Sequence, residues 1–181
     1  FGFNSGFNIP LRAATSLFPQ DPDAPQTALS AIGQFEVRAT ALQMAMVAAS
    51  IGNSGRTMNP YLVQEIRGPD LSILQTTEPT QFEDALKPSN SLSLTEMLVN
   101  VVENGTGSNA QIAGVRVAGK TGTAQTGNDS PSVAWFISFA PAAAPKVAVA
   151  VVIEESGLAE VSGNGLAAPI AKEVMKAVLG S

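Results

Sequence analysis

The chain has 181 residues, 45% of them hydrophobic and 14% charged, and its net charge at pH 7 is −5. That is enough apolar material for one core, too little charge for a disordered tail, and no basic stripe through which a nucleic acid would be held. Histidine and cysteine are both absent, so a Ser-His-Asp triad, a thiolate nucleophile, a zinc ribbon or a disulfide within this chain is excluded.

Residues 1–36 are rich in Pro, Gly, Asn and Asp and are read as a long irregular connection. They open FGFNSGFNIPLRAA, where Phe1, Phe3 and Phe7 look like core residues of a unit already under way. A preceding portion is therefore expected. Residues 37–112 read as mainly helical with one hairpin. Thr40-Ala41-Leu42-Gln43 fits a capping box ahead of the apolar helix TALQMAMVAASIG, which Gly52 closes. Leu42, Met46 and Ala49 share one face and Met44 and Val47 lie opposite, which predicts a helix buried all round. PYLVQEIR and LSILQTT flank Gly68-Pro69-Asp70 and predict a hairpin. Ser93-Leu94-Thr95-Glu96 is a second capping box, opening LTEMLVNVVEN with Gly105 as its stop.

Residues 113–181 hold three strand-like runs, VRVAGKTGTAQ (115–125), VAWFISFA (133–140) and KVAVAVVIE (146–154). Short turns at 127–131 and 141–145 predict an antiparallel meander. Pro169 suits the first position of a last helix, with Ile170, Val174, Ala177 and Val178 as its apolar stripe and Lys172, Glu173 and Lys176 outside it. Helices and strands fall in separate blocks, so the fold class is α+β, an antiparallel sheet flanked by helices. No apolar run approaches the ~18 residues that a membrane span needs.

One stretch, AGVRVAGKTGTAQ at 113–125, admits two readings. Gly114 to Thr121 satisfies G-x-x-x-x-G-K-[ST], the pattern of a phosphate-cradling loop. That loop needs a strand before its first glycine and a helix starting at the lysine. Here GTGSNAQIA precedes it, Val115-Arg116-Val117-Ala118 is strand-like, and TGTAQTGNDSP follows. The context fails at all three points. On a strand instead, Lys120 and Gly122 face one way and Thr121 and Thr123 the other. Lys120 supplies positive charge, Gly122 lets a ligand approach the backbone, and the threonine hydroxyls can donate to a carboxylate.

From about residue 30 onward the chain resembles the C-terminal half of the transpeptidase domain of class B penicillin-binding proteins. The matching stretches are IGQFEVRATALQMAMVAASIGNSG, ENGTG, VAGKTGTAQ, AWFISFAPA, KVAVAVVIE and GNGLAAPIAKEVM, in family order. The resemblance implies a penicillin-binding and serine β-lactamase-like fold whose K-T-G strand lines the cleft. It implies a peptidoglycan D,D-transpeptidase that cross-links stem peptides through a serine acyl-enzyme and is acylated by β-lactams, without a cofactor or metal. Lys120 would orient proton transfer and attract the substrate carboxylate. Thr121 and Thr123 would bind that carboxylate, Gly122 would complete the motif, and the Thr123 N–H would donate to the oxyanion.

The departures are as informative. No S-x-x-K occurs, and Ser162-Gly163-Asn164, the one S-x-N, follows K-T-G instead of preceding it, so it reads as the loop before the last helix. Glu96-Met97-Leu98-Val99-Asn100 resembles a β-lactamase E-x-x-L-N but reads as helix surface and core. For Trp135 the two readings are a place near the cleft and core packing, and core packing is the expected one. The nucleophile is thus expected on an upstream fragment carrying S-x-x-K and S-x-N, which would also anchor the domain at the extracytoplasmic face of the membrane. A D,D-carboxypeptidase or β-lactamase of the same fold, or a non-catalytic β-lactam-sensing or scaffold domain, are the alternatives.

Overall fold

A computed structural model describes residues 1–125, 132–157 and 161–180. The expected turn at 127–131 lies outside the described residues. The first 36 residues are not irregular throughout, because Asp23 opens helix α1 (Ala24–Ala31). Its carboxylate accepts from the Gln26 N–H at 2.8 Å, and the Gln26 side chain accepts from the Asp23 N–H at 3.0 Å. Pro25 costs nothing so close to a helix start. The density of turn-forming residues hid this reciprocal cap.

Helix α2 (Ala41–Gly52) begins as expected, with Thr40 Oγ1 accepting from the Gln43 N–H at 3.1 Å. The return half of the box is missing: the Gln43 amide donates to the Phe1 carbonyl, and Ser16 Oγ takes the Thr40 N–H at 3.0 Å. Both bonds tie the N-terminal stretch to α2. The helix buries Met46, Ala48 and Ile51, leaves Met44 and Val47 half-buried and exposes Ala49. It is therefore not buried all round.

Strand β1 (Arg56–Met58) pairs antiparallel with β4 (Gln81–Asp84), a long-range pairing with no local signal in the sequence. Between them the expected hairpin forms, with β2 (Glu65–Arg67) antiparallel to β3 (Ile73–Thr76). In its turn Asp70 accepts from the Ser72 hydroxyl at 2.6 Å and the Ser72 N–H at 3.2 Å. These bonds, the hydroxyl first, hold the Asp70 carboxyl below its usual range.

Helix α3 (Pro88–Asn104) starts earlier than the second capping box predicts. Pro88 occupies the first helical position, and Ser93 lies inside the helix with its hydroxyl donating to the Ser89 carbonyl at 3.1 Å. Gly105 is the C-terminal cap as expected. Buried Ser91 donates to the Ile51 carbonyl, joining α3 to α2. A 3-10 turn follows at Ser108–Ala110.

Strands β5 (Ala118–Ala124), β6 (Val133–Ala140) and β7 (Val147–Ile153) form the expected meander, in the order β5-β6-β7 and antiparallel throughout. Strand β5 begins later than expected, since Val115 bridges back to Ile112 instead. One face of the sheet packs Ala118 and Phe139 against Ala48 and Ile51 of α2 and Val99 of α3. The other packs Phe136, Ala140 and Val149 against Ala168, Ala171 and Met175. Those three belong to the last helix, α4 (Ala168–Leu179), which a π-helical turn at Gly163–Ala167 introduces. The expected stripe is on the wrong side: Ile170, Val174 and Val178 are 47%, 43% and 58% exposed. Small alanines bring the helix close to the sheet, and close approach outweighs the size of the β-branched residues. Among the described residues no helix is long and apolar enough to cross a membrane.

Candidate active site

Lys120, Thr121, Gly122 and Thr123 all lie on β5, which has one hydrogen-bonded neighbour, β6, among the described strands. No helix starts at Lys120, which disposes of the phosphate-loop reading. The register sets Lys120 opposite Ile137, Thr121 opposite Phe136 and Gly122 opposite Trp135. Directly paired residues share a face, so Lys120 and Gly122 project to the α2 side and Thr121 to the α4 side.

A cavity of about 500 Å³ lies along β5, lined by residues of both its faces. All four motif residues and Trp135 line it, with Phe3, Phe18, Val37, Met44 and Val47 among the opposing residues. Lys120 is the one charged side chain among them. It is exposed, and its ammonium donates to the Thr121 carbonyl at 2.7 Å. Trp135 is half-buried in the cavity wall instead of the core. The apolar residues contributed by positions 1–39 were missed from the sequence, because a wall assembled from loop residues has no period. A second cavity of about 560 Å³, between α2, β1 and the start of β7, holds none of the motif residues.

Two close approaches fix the strand. A Cβ on Gly122 would come within 3.1 Å of the Trp135 Cβ. On the opposite side, Gly163 rests on the same strand: a Cβ there would collide with the Trp135 carbonyl and crowd the Gly122 N and O at 3.1 and 2.9 Å. Ser162-Gly163-Asn164 is therefore a structural loop, as expected, with Ser162 Oγ accepting from the Gly165 N–H at 3.0 Å. Its glycine was not anticipated as a support for the motif. Gly163→Ala is expected to destabilise the fold by about 1–3 kcal/mol, since backbone must move to admit a methyl group. The melting temperature should fall by about 5 °C. An unchanged value would show that the turn is free to retreat.

The loop after α3 completes the surroundings. Thr106 Oγ1 lies 2.9 Å from Thr121 Oγ1. Asn109 donates two bonds of 3.0 Å to Asn164, one from its backbone N–H to the side-chain oxygen and one from its side-chain amide to the carbonyl, locking the 3-10 turn to the π-helical turn. The Glu96–Asn100 segment is structural, with Val99 1% exposed and Glu96 paired with Arg116 at 3.0 Å. That hydrogen bond, followed by the attraction of Glu96 and then the bond to Glu103, raises the Arg116 pKa. Among the described residues no cluster of His, Cys, Asp or Glu could hold a metal ion.

Comparison with known proteins gives a consistent picture. Residues 5–176 match the family model described as the penicillin-binding protein transpeptidase domain. The peptidoglycan D,D-transpeptidase PbpA of Mycolicibacterium smegmatis is 45% identical over 175 residues, covering 94% of this chain and 35% of that protein. Its counterpart in Mycobacterium tuberculosis is 43% identical over 174 residues, with the same coverage. The solved ceftriaxone acyl-enzyme of penicillin-binding protein A from M. tuberculosis superposes with a TM-score of 0.93 at 42% identity, covering 98% of this chain and 41% of that one. The chain thus spans about a third of the length of these curated relatives.

Proposed function

The chain belongs to the penicillin-binding protein transpeptidase family, and on that premise we propose that it supplies the K-T-G side of a peptidoglycan D,D-transpeptidase active site. One observation carries the reading. Among the described residues, Lys120 is the sole charged side chain lining the 500 Å³ cavity, on a strand whose outer edge has no described partner. An extended stem peptide adds to such an edge through main-chain hydrogen bonds, and a cation against largely apolar walls attracts its C-terminal carboxylate. Bare Gly122 leaves room for that peptide. Thr121 and Thr123 bind the carboxylate, and the Thr123 N–H donates to the oxyanion that develops on the attacked carbonyl.

The nucleophile comes from elsewhere. A serine on a preceding S-x-x-K segment attacks the D-Ala-D-Ala amide, D-Ala departs with a proton, and the amine of a second stem takes the acyl group. The same serine opens the ring of a β-lactam. That segment also carries S-x-N and tethers the domain to the extracytoplasmic face of the cell membrane.

The test is covalent labelling with a fluorescent penicillin. These 181 residues alone should take no label. Mixed or co-expressed with the S-x-x-K segment, they should restore it, with the label on that segment. Labelling of this chain by itself, or a pair that never labels, would falsify the assignment.

A further inference from the structure

Thr106 sits outside the K-T-G strand, yet its hydroxyl makes one side-chain hydrogen bond among the described residues, to the Thr121 hydroxyl at 2.9 Å. Resting on the proposed function, we infer that Thr106 is a positioning residue that orients Thr121 toward the substrate carboxylate.

The position of Thr106 is built, not incidental. Helix α3 stops at Gly105, and the Gly107 N–H turns back to donate to the Val101 carbonyl at 2.9 Å. Gly107 is closely packed: a Cβ there would lie 3.3 Å from Val101 and 3.4 Å from the Phe136 ring. Beyond it, the paired bonds between Asn109 and Asn164 anchor the chain again. The Gln111 amide donates to the Val102 carbonyl at 2.9 Å. Thr106 is therefore presented on a turn clamped at both ends, one hydrogen bond away from the motif.

A threonine hydroxyl has a single proton and rotates about its C–O bond. Alone on an edge strand, Thr121 can direct that proton to water, to a backbone oxygen or to the ligand. A carboxylate accepts only, so a bound substrate fixes the direction of the pair: Thr106 donates to Thr121, and Thr121 donates to the carboxylate. A chain of two such bonds polarises the terminal donor and makes it a better one. The two oxygens are in contact before the ligand arrives, so only the direction of the protons is left to order.

The experiment uses the full-length, serine-bearing protein and the second-order rate of acylation by a fluorescent penicillin, whose ring carboxylate is the ligand group at issue. Absence of label on the unmutated protein would refute the proposed function itself and is read first. With labelling established, Thr106→Val should slow acylation about tenfold, as expected when a hydrogen bond to a charged group is weakened. Thr106→Ser keeps the hydroxyl and should restore the rate to within about twofold. In a Thr121→Val background the Thr106→Val change should have no further effect, since its only route to the ligand is gone. A merely structural threonine would give losses that add. An unchanged rate in Thr106→Val, a Thr106→Ser as slow as the valine, or additive losses each overturn the inference.

Discussion

Lys120→Ala in the serine-bearing protein is expected to slow acylation by penicillin at least about a hundredfold, with the fold intact. The magnitude is that of removing a group that acts on protons or developing charge in an acyl transfer. Its size follows from the surroundings: among the described residues no other charged side chain lines the cavity to take its place. Stability should be preserved because Lys120 is exposed and, among the described residues, its one side-chain hydrogen bond is to the Thr121 carbonyl. Lys120→Arg should not rescue the rate. A guanidinium keeps its protons at any working pH, and its planar fork does not fit the space of an ammonium. A rate within about threefold of the unmutated protein, at an unchanged melting temperature, would remove Lys120 from the chemistry; measured effects of catalytic groups are far larger.

Phe136→Ala should be the most damaging change away from the cavity. Its ring is 0% exposed at the centre of the sheet face that α4 covers. It also fills the space beneath both flanks of the site. A Cβ on Gly119 would come within 2.6 Å of the ring tip, and one on Gly107 within 3.4 Å of its edge. Truncation leaves a cavity that close-packed neighbours cannot fill, at a cost of about 3–5 kcal/mol. Against a typical total stability of about 5–15 kcal/mol, that is a substantial share. Thermal unfolding should shift down by about 10 °C. Acylation of the folded fraction should slow as well, because β5 and the Thr106 turn lose a common support. A shift of less than about 3 °C would mean that α4 can collapse onto the sheet without the ring.

Much of this was legible locally. K-T-G on a strand, the meander, the hairpin around Gly68-Pro69-Asp70 and the Gly105 stop each depend on residues within one turn or one strand. Period and turn chemistry report such features directly. The family was legible because several such stretches recur in order along one chain. The absence of histidine and cysteine excluded a Ser-His-Asp triad and a thiolate nucleophile from composition alone.

Other features needed the third dimension. The apolar stripe of α4 was misjudged because Ile170, Val174 and Val178 have the right period and the right chemistry for burial. Ala168, Ala171 and Met175 are buried instead because the sheet selects the face that lets backbones approach. The second capping box failed for a related reason: Pro88 starts α3 upstream, so Ser93 is already helical. Most telling for the site, nothing in the sequence tells what Thr106, Gly163 or the aromatic residues at 1–18 touch. Each acquires its place through a partner far away in sequence: Thr121, Gly122 or the cavity wall. Sequence alone determined which groups can do chemistry here, since functional groups are local properties. Only the tertiary structure decided what surrounds them, because burial, close approach and hydrogen-bond partnership belong to pairs of residues that the chain holds apart until it folds.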